Sequence, residues 1–245
     1  MKILALEFST DRRSAAVLDS GATSPGGAGF QPATGSRAGF QPAISSAGFQ
    51  PAVMGHATQC GSRSTAAFSL IEQALLAAQL EREQIECVAV GLGPGSYTGI
   101  RVAISVAQGW QLALGVRLLG LSTVECLVAQ AHADGCRGRV NIALDAQRNE
   151  LYLAGYDLTA DGWREVEPLH LATLAAAHPL AAHGGLFIGP EVRRWFPDGR
   201  ELFPDAAALV RLAASRTNFI PGEKLEPVYL RETSFVKAPP PRVIP

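Results

Sequence analysis

The stretches ILALEFSTDRRSAAVL, residues 3–18, and NIALDAQRNELYLAGY, residues 141–156, can be laid one on the other with Leu6-Glu7 over Leu144-Asp145. Each is an apolar strand ending in an acid, then a polar turn, then a returning strand of alternating character. That is the pattern of a β-hairpin with at least one buried face. A second echo follows in the same order: Val90-Gly91-Leu92-Gly93-Pro94 and Phe187-Ile188-Gly189-Pro190 are both strands that run into a glycine turn. One echo alone carries little weight. Two in the same order predict a duplicated α/β unit, each copy with an acid-ended hairpin and a later glycine turn.

This is the layout of the actin, hexokinase and Hsp70 type of fold (ASKHA, RNase H-like), in which two lobes face each other over a nucleotide cleft. The analogy is to the fold and carries no activity with it. The expected division is a first lobe over residues 1–122 and a second lobe with a C-terminal tail over 123–245. The first lobe is interrupted at about 21–55, where Gly, Ala, Ser, Pro and Gln dominate and the unit AGFQPA recurs at 28–33, 38–43 and 47–52. Spacings this short do not suit a solenoid repeat, and too few apolar residues are present to offset ordering entropy. An expanded, flexible hairpin loop is the expectation. Beyond it, Phe68, Ile71, Leu75 and Leu76 at helical spacing predict a helix over Thr65–Leu80, and Ile85–Leu92 reads as a buried strand. A second helix is expected from Thr98, a capping type, to about Leu114. Apolar residues surround that helix, with Arg101, Gln108 and Gln111 as the interruptions, so it is either deeply buried or faces a protein partner.

The composition, 47% hydrophobic and 18% charged over 245 residues, is globular. A formal net charge of −1 supplies no global basic field for capturing nucleic acid. Cys60, Cys87, Cys126 and Cys136 form no CxxC pair, and MKILALEFST is a strand pattern, not a charged leader. No apolar run nears the ~20 residues that span a bilayer. The reading is a cytoplasmic protein with reduced thiols and no membrane contact.

GLGPGSYTGIR, Gly91–Arg101, offers φ freedom, close backbone approach and a following helix N-terminus, a place where an anion can be held. It lacks the third glycine of GxGxxG, the lysine of a P-loop and the spacing of a GxSxG elbow. A strand-to-helix turn and a ligand-touching loop both fit it. In a phosphotransferase of this fold an Asp after the first strand holds Mg²⁺ through water. Here Glu7 stands at that position and Asp145 at its equivalent, and the turn Phe8-Ser9-Thr10-Asp11 has no glycine to admit phosphate. Solvated or turn-capping carboxylates are the expectation. The five histidines give no HxxxH or HExxH pair, so no metal site is expected. Arg137, Arg139, Arg193 and Arg194 are paired locally without an aromatic stripe, which argues against RNA binding by this chain alone.

The chain resembles the TsaB (YeaZ) family of threonylcarbamoyladenosine tRNA modification. Gly91–Val116 is similar to that family's GPGSFTGLRVG signature and following helix, Ala143–Tyr156 to its AIDARxxEVY segment, and EPVYLR, Glu226–Arg231, to its C-terminal signature. The resemblance implies a non-catalytic subunit that pairs with a TsaD-like catalytic subunit, which transfers threonylcarbamoyl to N6 of adenosine 37. A TsaE-like ATPase completes the assembly. It further implies that tRNA is met only through the complex, that ATP and Mg²⁺ serve the whole assembly, and that the chain can self-associate without its partner. The implied pairing surface comprises Phe68, Ile71, Leu75, Ile100, Ile104, Ala107, Gln108 and Gln111, with Glu7, Gly93, Gly95 and Asp145 as a degenerate nucleotide cleft. Two positions depart from the family pattern. Glu7 replaces the usual Asp, and Ser62-Arg63-Ser64-Thr65 lacks the family's histidine before the first helix. The main alternative is a small phosphotransferase or ATPase of the same fold. A metallopeptidase-like protein is a second, disfavoured by the absent HxxxH. The glycine loop is then chiefly the turn that launches the partner-binding helix.

Overall fold

The computed structural model describes residues 1–21, 52–61, 67–182 and 185–230. Strands β1 (Lys2–Glu7), β2 (Arg12–Asp19) and β3 (Val53–Cys60) form an antiparallel meander. β4 (Cys87–Gly91) joins β1 in parallel, and β5 (Arg117–Leu121) joins β4, giving the order β3-β2-β1-β4-β5. The central strands are apolar at nearly every position because both faces of the sheet are covered. Leu4, Leu6, Val88 and Val90 point to one side, where they pack with helices α1 (Ala67–Ala78) and α2 (Tyr97–Leu114). Ile3, Ala5, Cys87 and Ala89 point to the other, against helix α5 (Ala206–Ala214). Each such Leu, Ile or Val, withdrawn fully from water, contributes roughly 1.5–3 kcal/mol.

The second sheet repeats the first. β6 (Gly138–Asp145), β7 (Glu150–Leu158) and β8 (Trp163–Thr173) form the meander, and β9 (Leu186–Gly189) and β10 (Arg200–Glu201) add in parallel. The order β10-β9-β6-β7-β8 is the first sheet's order element for element. Helix α3 (Thr123–Ala133) packs Val124, Leu127, Val128 and Ala131 on this sheet, while its Cys126 joins the α5 cluster. Helix α4 (Leu174–Ala182) covers the far face through Ala177. The layers therefore run α1 and α2, first sheet, α5 and α3, second sheet, α4.

Several sequence expectations are adjusted by this arrangement. β3 begins at Val53, inside the stretch assigned to the insert, which connects β2 to β3. Residues 22–51, with all three AGFQPA units, lie outside the described residues. α2 begins at Tyr97 instead of Thr98, because Ser96 is its N-cap and accepts a hydrogen bond from the Gly99 N–H at 3.3 Å. Gly115, in the left-handed region at φ 68°, ends the helix at the expected place. The chain also crosses back after the second sheet. α5 lies on the first sheet, and Ile220 and Leu225 pack in the α1–α2 cluster.

Candidate functional site

The carboxyl ends of β1, β4 and β5 meet where a sheet of this kind forms its ligand crevice. Glu7, the last residue of β1, is buried there completely. Its Oε1 accepts the Ser9 N–H at 2.9 Å, and its Oε2 accepts the Thr123 hydroxyl at 3.2 Å. Burial pushes the Glu7 carboxyl above its ordinary value against the opposing pull of these hydrogen bonds. Thr123, the first residue of α3, also accepts the Gly93 N–H at 3.2 Å and donates its own N–H to the Gly93 carbonyl at 2.9 Å. Gly91 is required beside the carboxyl, since a Cβ there would fall 2.1 Å from Glu7 Oε2.

The glycine loop is closed against the β1–β2 turn. The Ser96 N–H donates to the Ser9 carbonyl at 2.6 Å. A Cβ at Gly95 would lie 2.2 Å from that same oxygen, and one at Gly99 would lie 2.0 Å from the Phe8 carbonyl oxygen. The glycines thus bring backbone against backbone. Glu7, Gly93 and Gly95 are brought together as expected. Asp145 occupies the matching end of β6 and is exposed, with its Oδ1 holding the Gln147 N–H at 2.7 Å. Both acids therefore cap the residue two positions on. Of the two expected roles, solvated or turn-capping, Glu7 takes the second alone, buried as it is, and Asp145 takes both.

The face of α1 and α2 needs a larger correction. Ile71, Leu75, Ile100, Ile104 and Ala107, which the family resemblance implied as pairing residues, are buried in the cluster between these helices and the first sheet. A helix with apolar residues on both sides does not reveal in its sequence which side meets its own sheet. Gln108 and Gln111 are engaged within the chain: Gln108 Nε2 donates to the Gly222 carbonyl, and Gln111 Oε1 accepts the Gly222 N–H, both at 2.8 Å. Phe68 alone of the eight is strongly exposed, at 63%. Two residues outside the predicted set are also strongly exposed, Leu76 at 79% on α1 and Leu112 at 91% on α2, with Arg101, Ser105, Gly109 and Ala113 also exposed on α2. For Leu76 the signal was present in its place about one turn from Glu72 and Gln73, on the same polar face; for Leu112 none was.

At the start of α2, Tyr97 stacks on Tyr229 with ring centroids 5.5 Å apart. Arg101 lies over the Tyr97 ring at 4.2 Å and donates to the Tyr229 hydroxyl at 3.3 Å. Together with the Val228 N–H on the Leu92 carbonyl, these contacts strap the EPVYL segment along the helix.

Two of the histidines are engaged within the chain. His132 is buried against Trp163 and bonds the Thr159 carbonyl at 2.9 Å. His56 lies 3.0 Å from Asp205, the N-cap of α5, whose Oδ1 also accepts the Ala207 N–H at 2.7 Å. Burial alone would raise the Asp205 carboxyl, but the bonds from His56 and Ala207 outweigh it and hold the carboxyl below its ordinary value. Burial pushes the Cys87 thiol up to about 12 and raises Cys126 well above its ordinary value, so neither is a reactive thiolate. His183 lies outside the described residues. Among the described residues no group of His, Cys, Asp or Glu is arranged to hold a metal ion, and no helix is long and apolar enough to cross a membrane.

Two sheets of identical order, each with an acid at the end of its first strand and a glycine at the end of its fourth, define an α/β protein of actin-like fold. The family model described as "TsaD: tRNA N6-adenosine threonylcarbamoyltransferase" matches residues 62–204. The chain belongs to this family, and within it to the TsaB (YeaZ) group. It is 28% identical over 184 residues to the tRNA threonylcarbamoyladenosine biosynthesis protein TsaB of Escherichia coli (strain K12), covering 66% of this chain and 78% of that one. The protein of the same name from Buchnera aphidicola subsp. Schizaphis graminum (strain Sg) is 30% identical over 87 residues, covering 36% and 41%. The solved structure of YeaZ from Pseudomonas aeruginosa has a TM-score of 0.70 at 22% identity, covering 94% of this chain and 99% of that one, a likeness of fold.

Proposed function

We propose that this chain is a non-catalytic subunit for forming threonylcarbamoyladenosine at adenosine 37 of tRNA, pairing with a TsaD-like catalytic subunit through the outer faces of α1 and α2. The observation that carries the reading is the exposure of Phe68, Leu76 and Leu112 on the same side of the first sheet. Large apolar side chains held out on ordered helices mark a surface made to be covered. Family membership supports a TsaD-like subunit as the partner. The buried, hydrogen-bonded Glu7 and the closed glycine loop support a role without chemistry in this chain. ATP and Mg²⁺ then belong to the complete assembly with a TsaE-like ATPase, and tRNA is met through the complex, in the cytoplasm. Without its partner the chain covers the same face by self-association. Co-expression with the TsaD-like subunit tests this: a complex retained through gel filtration is expected. Absence of a complex, together with unchanged threonylcarbamoyladenosine in cells depleted of the chain, overturns it.

A further inference from the structure

A fold of this class is associated with a nucleotide and Mg²⁺, and the residues at the crevice do not fit either. Both carboxyl oxygens of Glu7 are already bonded within the chain, to the Ser9 N–H and the Thr123 hydroxyl. The glycines that would make room for phosphates are in contact with the Phe8 and Ser9 backbone. We infer that Glu7 is a built-in ligand: its carboxyl fills, from within the chain, the crevice that the fold opens at the carboxyl ends of β1, β4 and β5.

Three independent features converge on that carboxyl. A backbone N–H from the β1–β2 turn and the hydroxyl of the first residue of α3 grip one oxygen each. Gly91, at the end of β4, leaves out the one atom that would collide with Oε2. Thr123 is itself fixed by two hydrogen bonds with Gly93, so the receiving groups are held in place before the carboxyl arrives. This is the donor set that holds a small carboxylic ligand, and the chain provides the ligand from its own first strand. The extra methylene of glutamate lets the carboxyl reach α3 from the end of β1. The crevice is thereby sealed without any external group, and the glycine loop is left to act as the launch of α2. This inference does not depend on the pairing surface.

Chemical complementation tests it. Glu7→Gly removes a propionate-sized group, so propionate should bind the vacated space and raise the melting temperature by about 3–6 °C at about tenfold its Kd. Propanol and chloride at equal concentration should not. The native chain and Glu7→Gln, whose crevices stay filled, should show no specific response to propionate. Glu7→Ala with acetate repeats the test one methylene shorter. For a variant that does not fold in plain buffer, the yield of folded protein on dilution from denaturant into the acid, against chloride, replaces the melt. A response in the Gly and Ala variants no greater than in the native chain overturns the proposal. So does binding of Mg-ATP by the native chain in isothermal titration calorimetry, because it requires an open crevice.

Discussion

A charge placed on α2 has opposite consequences on its two sides. Ile104 is 6% exposed and packs between the helix and the first sheet. Ile104→Asp forfeits roughly 1.5–3 kcal/mol of apolar burial. It also strands a carboxyl in an apolar cluster, at a further cost of several kcal/mol. Against a total stability of about 5–15 kcal/mol, the fold of that variant is severely weakened. Leu112, two turns further on, has almost no contact within the chain. Leu112→Asp should therefore change stability by no more than about 0.5 kcal/mol, a melting shift within about 2 °C. Its affinity for the TsaD-like subunit should nonetheless fall at least about tenfold, because a desolvated carboxylate replaces an apolar anchor. The assay pairs a thermal melt of each variant with titration against the partner. Normal melting of Ile104→Asp would refute the burial argument. Full partner affinity in well-folded Leu112→Asp would refute the assignment of the outer face.

Two alanines in the same helix should act in opposite directions. Gly109→Ala, with nothing within 4 Å of the new Cβ, should stabilise by about 0.5–1 kcal/mol. Gly99→Ala, whose Cβ meets the Phe8 carbonyl oxygen, should destabilise by about 1–3 kcal/mol, as two melts would show. Because burial, with the Asp205 carboxylate adding to it, raises the folded Glu7 value above the ordinary 4.5, its contribution is present at low pH and is lost as pH rises through the folded value. Glu7→Gln should accordingly melt higher than the native chain at neutral pH, with the gap closing toward acid; equal melting temperatures at neutral pH would contradict this. Asp205 has the opposite sign. Its depressed value contributes stability above the ordinary 3.8 that is lost as pH falls through the folded value. Asp205→Ala should cost about 1 kcal/mol at neutral pH through the lost α5 cap and the lost His56 contact, and flatten the acid limb of the melting profile.

The duplicated hairpin, the β4 strand and the α1–α2 pair were legible because long apolar periods and cap residues act locally. β3 was not. VMGHATQC alternates only weakly between the inward Gly55 and Ala57 and a polar outer face, and it directly follows the low-complexity stretch. The return of α5 to the first sheet was also hidden, since it rests on contacts across the length of the chain, such as the Ala206 N–H on the Ser14 hydroxyl at 2.8 Å. At the crevice, the sequence showed an acid and glycines of the right kinds. It did not show that Glu7 turns inward to Thr123, more than a hundred residues away. On α2, the family resemblance placed Ile100 and Ile104 on the partner's side, while the apolar pattern left burial and pairing equally open; the sheet takes these two and leaves Leu112 outside. The glycine loop kept its sequence-based role as the launch of α2, now with Ser96 as the cap.

The most direct measurement is co-purification of the native chain with the TsaD-like subunit, run beside the double variant Leu76→Asp/Leu112→Asp. A native complex stable through gel filtration, and its loss in a double variant that melts like the native chain, is the result predicted. No complex with the native chain, or one that the double variant leaves intact, contradicts the account.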